Sequence, residues 1–224
     1  MNILFCNIAW MKFYNGNPNG TDQPHGGGEY VERTGDAHEK FNFTPTKVKF
    51  NEIDPAEEYC VGFVETKSTN GAESNQLNIE KITGNKKDKA VNVVDDVLVI
   101  YCALYPFSST NETYIVGWYN NAEVYRKYQK LEFTDDNGEI VYEQYYNAIS
   151  KIENCVLLPE SARRNQMWRV PRKRKGMSFG FGQANVWFAQ GADENPKLQE
   201  FLDRIVKQIE EYDGENMVVN NKNT

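Results

Sequence analysis

One segment of this sequence has the hydrophobic spacing of a helix, and the other apolar residues lie mostly in short runs typical of strands. Asn195 and Pro196 form a favourable helix start, and apolar residues from Leu198 to Tyr212 then recur on one helical face. Gly214 is a natural stop after this segment. We therefore predict one amphipathic helix that packs its apolar face against a sheet.

Seven or eight short apolar or alternating runs predict strands. The tripeptide at 136–138, Asp-Asn-Gly, predicts a hairpin turn between the last two long runs. Many short strands with one strong helix indicate an α+β fold, with a curled β-sheet or barrel and flanking helices. The runs are 2–10, 59–66, 77–82, 93–104, 114–119, 122–133, 139–149 and 155–158.

The composition is that of a globular chain. Hydrophobic residues make up 40% of the 224 residues, which is enough to form a core. The sequence has no internal repeat and no linker, so we predict one domain over residues 1–212 and a flexible, Asn-rich tail over 213–224. It has neither a transmembrane run nor a signal-peptide pattern. We therefore expect a cytoplasmic protein with no membrane partner.

The basic residues are unevenly distributed. The net charge is −7, yet residues 163–175 hold seven basic residues and no acidic one, and the rest of the chain carries −14. This segment is either a solvated loop or a phosphate-binding strip on an acidic body. Its basic residues are Arg163, Arg164, Arg169, Arg172, Lys173, Arg174 and Lys175.

The spacing of cysteine and histidine gives no support for a metal centre. The four cysteines are 42 or more residues apart and lie in apolar surroundings, which predicts buried thiols. His38-Glu39 begins like a zinc-protease motif, but Asn42 stands where the second histidine is needed. Phosphate-binding glycine loops and nucleophile elbows are missing as well. We predict no cofactor, no metal site and no catalytic residue in this chain.

All four tryptophans lie next to polar or basic residues. A tryptophan near Lys, Arg or Asn at a strand end suits a pocket for a flat ring, because bases stack on aromatic faces. A tryptophan is also a common core residue, and the pattern alone leaves both interpretations open. The four residues are Trp10, Trp118, Trp168 and Trp187.

Three stretches resemble the N-terminal reader domains of bacterial modification-dependent restriction endonucleases, in the EVE-like branch of the PUA-like superfamily. The resemblance spans roughly residues 2–190, and its most specific piece is Val-Gly-Trp-Tyr at 116–119 after a Val-rich strand. The stretches are 7–12 leading to 26–31 and His38-Glu39, then 96–100 leading to 115–126, and finally 182–189.

The resemblance implies a fold, a partner and a mode of recognition. The expected fold is a PUA-like curled β-barrel of about six to eight strands with flanking helices. Such domains bind double-stranded DNA and flip a modified base into an aromatic pocket. In related proteins a C-terminal HNH nuclease cuts the DNA. This chain has only two histidines, neither in an HNH context, so we expect it to act with a further domain or partner nuclease.

Placed on this sequence, the resemblance suggests two sets of binding residues. Trp10 and Trp118 would form the stacking walls, with Tyr30 and Tyr119 behind them. Asn120 and Asn121 would read a base edge, because a side-chain amide both donates and accepts. Lys12 and the seven basic residues of 163–175 would contact the DNA backbone.

Two other functions remain open at this stage. The first is a metal-dependent nuclease or other hydrolase that uses His38, Glu39 and either Asp95 or Asp96. The second is an RNA-binding module, because PUA-like folds also serve RNA.

Overall fold

The computed structural model describes residues 1–16, 19–26, 29–50, 55–66, 76–107, 109–135, 137–173 and 177–220. Within these ranges the chain has a mixed α+β fold, with nine strands in one sheet and few helices. The strands are β1 (Asn2–Ile8), β2 (Pro45–Val48), β3 (Glu57–Gly62), β4 (Val93–Leu104), β5 (Thr113–Thr134), β6 (Ile140–Lys151), β7 (Cys155–Leu157), β8 (Arg169–Val170) and β9 (Val186–Trp187). The helices are α1 (Glu29–Thr34), α2 (Glu80–Thr83), α3 (Glu160–Arg163), α4 (Pro196–Glu210) and α5 (Met217–Asn220). Short 3-10 helices occupy His38–Phe41, Lys86–Ala90, Ile152–Asn154 and Gln166–Trp168.

The main path of the sheet has the strand order β2-β3-β6-β5-β4-β1-β9, and β7 and β8 pair with β5 beside this path. The named strand pairs are antiparallel, apart from the parallel pair of β1 and β4. Among the described residues the end strands β2 and β9 do not pair with each other. The α+β class is therefore confirmed, but the sheet has nine strands and is not closed into the expected barrel.

Strand β5 lies at the centre of the sheet and has partners on both edges. On one edge it pairs with β4, from Thr113 opposite Leu104 to Tyr125 opposite Val93. The other edge pairs in turn with β8, β7 and β6. Residues 113–119 are all buried, as expected for a strand that is covered on both faces of its sheet.

Two hydrophobic clusters cover the two faces of the sheet. Successive side chains of a strand point to opposite faces. Along β1, Phe5 accordingly belongs to the cluster under α4, whereas Leu4 and Cys6 belong to the cluster on the other face. All four cysteines are buried free thiols, as predicted.

The predicted amphipathic helix is confirmed as α4. Its N-cap is Asn195, whose side chain accepts a hydrogen bond from the backbone N–H of Leu198. The helix ends at Glu210, earlier than the predicted stop at Gly214. No helix in the described ranges is both long enough and apolar enough to cross a membrane. The buried residues of α4 are Leu198, Phe201, Leu202, Ile205 and Ile209.

Two strand predictions were wrong in detail. Alternation predicts a strand over 77–82, but residues 77–79 form a loop and turn, and residues 80–82 belong to α2. Ile79 and Ile82 are buried there, because a spacing of three brings both side chains to one face of a helical turn. The runs 114–119 and 122–133 are one continuous strand, β5, through Asn121 with a positive φ of 50°.

The chain after α4 packs against the sheet. Residues 213–220 belong to the predicted flexible tail, but they contain α5, and Val218 is fully buried. The Asn216 side chain accepts a hydrogen bond from the Leu157 backbone N–H and donates one to the Cys155 carbonyl, as a neighbouring strand would. The hairpin turn predicted at 136–138 connects β5 and β6, and its Asp136 lies outside the described residues.

We expect Trp118→Ala to lower the free energy of unfolding by about 3–5 kcal/mol, because it opens a cavity in the core under α4. Denaturant unfolding followed by circular dichroism measures this change. Phe107→Ala is the control: the Phe107 side chain is 69% exposed, so its loss should change stability little. A Trp118→Ala protein as stable as the Phe107→Ala protein would contradict the core assignment.

Candidate nucleic-acid interface

Trp10 and Trp118, the predicted stacking walls, lie on opposite faces of the sheet. Trp118 is 1% exposed and belongs to the cluster under α4, where its ring stacks on Trp168 at 5.6 Å and contacts Tyr212 edge-on at 5.4 Å. Trp10 is 2% exposed and belongs to the cluster on the other face. The two rings therefore cannot enclose one base in this arrangement.

The other predicted pocket residues are also dispersed. Tyr119 follows Trp118 in β5, so its side chain points to the opposite face, where it is fully buried and its hydroxyl donates to the Asn42 carbonyl. Asn120 is half-buried and Asn121 is exposed. Tyr30 lies in α1, and its side chain is outside the described part of the chain. The described residues do not form the pocket expected from the sequence.

Arg163, the first residue of the predicted phosphate-binding strip, is a core residue. Its guanidinium is fully buried and donates to three backbone carbonyls, those of Leu158 at 2.8 Å, Met11 at 2.5 Å and Lys12 at 2.7 Å. It also lies 5.6 Å from the centre of the Trp10 ring. Burial lowers the pKa of Arg163. The predicted phosphate contact is therefore wrong, because this guanidinium is inaccessible and already bonded.

Four other residues of the strip lie in the described part of the chain, and we call this group the basic edge: Arg164, Arg169, Arg172 and Lys173. Arg164 and Lys173 are exposed. Arg169 forms an ion pair with Glu112 at 3.2 Å, and Arg172 donates to the Thr113 hydroxyl at 2.9 Å. Glu112 directly precedes β5 and Thr113 is its first residue, so Arg169 and Arg172 both bond to the end of the connection between β4 and β5. Arg174 and Lys175 lie outside the described residues.

The basic edge adjoins a group of aromatic rings, His25, Tyr105 and Phe107, which we call the aromatic shelf. The centre of the Phe107 ring lies 5.6 Å from both the His25 and Tyr105 rings. Tyr105 packs in turn on Trp10, with ring centres 5.1 Å apart. Phe107 and His25 are exposed, so the shelf offers ring surface to solvent while Trp10 supports it from the core.

Arg164 joins the aromatic shelf to the basic edge. Its guanidinium lies 5.1 Å from the centre of the Tyr105 ring, and its Nη1 donates to the Tyr105 hydroxyl at 3.3 Å. The Tyr105 backbone N–H donates to the Glu112 carbonyl at 2.9 Å, which links the shelf to the partner of Arg169. Lys12, also predicted to contact phosphate, is exposed beside the Phe13 ring.

Sequence reasoning missed the aromatic shelf. Tyr105-Pro106-Phe107 directly follows β4, and aromatic residues just beyond a strand end are the available signal. His25 could not have been grouped with them, because it reaches the shelf through an isolated β-bridge with Trp10. Such a long-range pairing has no local sequence pattern.

The residues proposed for metal-dependent hydrolysis do not form a site. Glu39 is half-buried and accepts a hydrogen bond from the Ala9 backbone N–H at 2.8 Å, and desolvation raises the pKa of its carboxyl group. Asp95 and Asp96 are exposed on β4. Within the described ranges, no three His, Cys, Asp or Glu side chains lie close enough to hold a metal ion.

Arg163 and Arg164 are adjacent in sequence and should respond to mutation in opposite ways. Arg163→Met leaves three carbonyls without their donor, each costing about 1–3 kcal/mol when buried, so the free energy of unfolding should fall by several kcal/mol. Arg164→Met should leave stability nearly unchanged. Parallel denaturant titrations measure both effects, and equal stability of the two variants would contradict the buried role of Arg163.

Comparison with known proteins adds no relative from which a function can be transferred. No protein-family model matches the chain, and neither a curated protein nor a solved structure shows significant similarity to it.

Proposed function

We propose that this chain is a DNA-binding domain that recognises a modified base, and that the aromatic shelf and the basic edge form its binding face. The observation that carries the proposal is the exposed Phe107 ring, which packs on Tyr105, the same ring over which the Arg164 guanidinium lies. Positively charged grooves with aromatic stacking platforms are typical of nucleic-acid-binding proteins. We further propose that the fold is a PUA-like, EVE-like domain with a curled sheet, and that the chain acts in the cytoplasm.

The two parts of the face have different tasks in this proposal. Phosphate contacts position a protein on DNA, and base contacts make it specific. The basic edge would hold the backbone through Arg164, Arg172 and Lys173. A base extruded from the duplex would stack on Phe107, and stacking contributes about 1–3 kcal/mol per base. This gain would offset the few kcal/mol that base flipping costs.

Recognition of a modified base rests on the resemblance to reader domains of modification-dependent endonucleases. Because those proteins carry their nuclease in a separate domain, cleavage would come here from a further domain or a partner. The revised position of the pocket, at the shelf instead of at Trp118, keeps the aromatic recognition that the resemblance implies. It also uses rings that a base can reach.

We expect Phe107→Ala to weaken binding to DNA with 5-methylcytosine or 5-hydroxymethylcytosine by about tenfold or more, and binding to plain DNA by less. Fluorescence anisotropy with matched duplexes and an RNA duplex measures these affinities. Tyr145→Ala is the matched control, because Tyr145 is an exposed aromatic residue on β6. If the Phe107→Ala variant still prefers modified over plain DNA as strongly as the unmodified chain, the aromatic shelf is not the base-binding site. If the chain prefers the RNA duplex, DNA is not its target.

The basic edge predicts how affinity depends on salt. Each phosphate contact contributes about −0.9 to the slope of log K against log salt for duplex DNA. Arg164→Glu and Lys173→Glu should therefore each flatten the slope, and each should weaken binding to plain and modified duplexes by the same factor. Lys207→Glu, an equal charge reversal on α4 away from the basic edge, controls for net charge. Equal slopes for all three variants would contradict the basic edge as the backbone-binding surface.

A further inference from the structure

A cleft of about 390 Å³ opens between the start of β5, β8 and α4. Its volume is in the range of roughly 300–1,000 Å³ that is typical of small-molecule sites. Three arginines line it, Arg169 and Arg172 from one segment and Arg204 from α4, and we call it the arginine cleft. The only acidic side chain among its described lining residues is Glu112.

The charges in the arginine cleft are unbalanced. Glu112 forms an ion pair with Arg169 at 3.2 Å. Arg172 and Arg204 form no ion pair within the described residues. Two guanidinium groups outside any described ion pair, those of half-buried Arg172 and exposed Arg204, therefore line one open cleft. Guanidinium groups bind phosphate strongly and often bidentately.

Both of these arginines are already held in position by neutral groups. Arg172 donates from Nη1 to the Thr113 hydroxyl at 2.9 Å. Arg204 donates from Nη1 to the Met167 carbonyl at 2.7 Å. A guanidinium has five N–H donors, so each arginine keeps donors for a ligand while one edge of it is fixed. Such anchoring reduces the entropy that is lost on binding.

The arginine cleft also has an apolar and aromatic lining, and the Arg204 guanidinium lies 5.3 Å from the centre of the Phe201 ring. Met177, Phe179 and Phe201 form it, and the centres of the two phenylalanine rings are 5.8 Å apart. Gly180 allows the chain to pass close to this site: its φ is 115°, and a Cβ there would collide with the Pro171 carbonyl. Gln166 and Asn111 add side-chain amides that can donate and accept at the rim.

We propose that the arginine cleft binds a nucleoside monophosphate, with the phosphate on Arg172 and Arg204 and the base against Phe179. A phosphate monoester carries a charge of about −1.5 to −2 at neutral pH, which matches two unpaired guanidinium groups. A bare phosphate would leave the aromatic wall in water, and a nucleoside would leave the arginines without an anion. The ligand is either a free nucleotide or the phosphorylated end of a strand.

Isothermal titration calorimetry with dAMP, deoxyadenosine and inorganic phosphate tests this proposal on the full chain. We expect dAMP to bind about tenfold or more tightly than either part alone, since charged hydrogen bonds and stacking both contribute. A single-stranded oligonucleotide with a 5′-phosphate, compared with the same strand bearing a 5′-hydroxyl, separates the two ligand sources. Preference for the phosphorylated strand would identify a strand end, and binding of dAMP alone would identify a free nucleotide.

The double variant Arg172→Gln/Arg204→Gln should weaken dAMP binding about tenfold or more. Lys207→Gln removes one charge from the same helix outside the cleft and should leave dAMP binding unchanged. Phe179→Ala should weaken dAMP binding but not that of inorganic phosphate. Absence of dAMP binding at millimolar concentration, or undiminished binding by the folded double variant, would overturn the proposal.

The arginine cleft shares Arg169 and Arg172 with the proposed DNA-binding face, but nucleotide binding does not require duplex binding. If the unmodified chain recognises modified duplexes but does not bind dAMP, only the proposal of a nucleotide site in the arginine cleft is refuted. If the unmodified chain binds dAMP but does not bind duplex DNA, only the proposed DNA-binding function is refuted. Arg204→Gln is the most selective variant, because Arg204 lies outside the basic edge.

Discussion

The pairing of β5 on both of its edges is the constraint on which the rest of the molecule depends. Its first seven residues contact β4 on one side and β8 and β7 on the other, and they are buried throughout. The β8 contact is only two residues long, with Arg169 opposite Tyr114 and Val170 opposite Thr113. This short pairing brings the chain's basic segment to the turn that carries the aromatic shelf.

Arg163 also connects segments that are distant in sequence. Its guanidinium joins the carbonyls of Met11 and Lys12 to that of Leu158, so it ties the chain beyond β1 to the chain beyond β7. A neutral side chain could not satisfy three buried carbonyls at once. The bonds fix the segment next to Trp10, and Trp10 supports Tyr105. One buried arginine thus stabilises the surface on which its neighbour Arg164 is displayed.

The sequence was informative where the signal is local. Asn195, Pro196 and the apolar face predicted α4, because capping and 3.6-residue spacing act within one segment. The pocket could not be predicted in this way: Trp118 and Tyr119 are adjacent, but strand geometry sends their side chains to opposite faces. Likewise, the basic segment predicted a phosphate contact for Arg163. Only the tertiary contacts with Leu158 and Met11 show that this side chain is buried.

The acidic net charge of the chain is compatible with the proposed phosphate contacts at the basic edge. Electrostatic interactions between exposed charges fall off over about 8 Å at physiological ionic strength, so a bound phosphate senses mainly its near neighbours. In the described part of the chain, the one carboxylate that forms an ion pair with the basic edge is that of Glu112, and its partner is Arg169. The acidic remainder would instead repel DNA that approaches from other directions. A net charge of −7 is therefore compatible with DNA binding at one edge, and it would favour the orientation in which that edge faces the backbone.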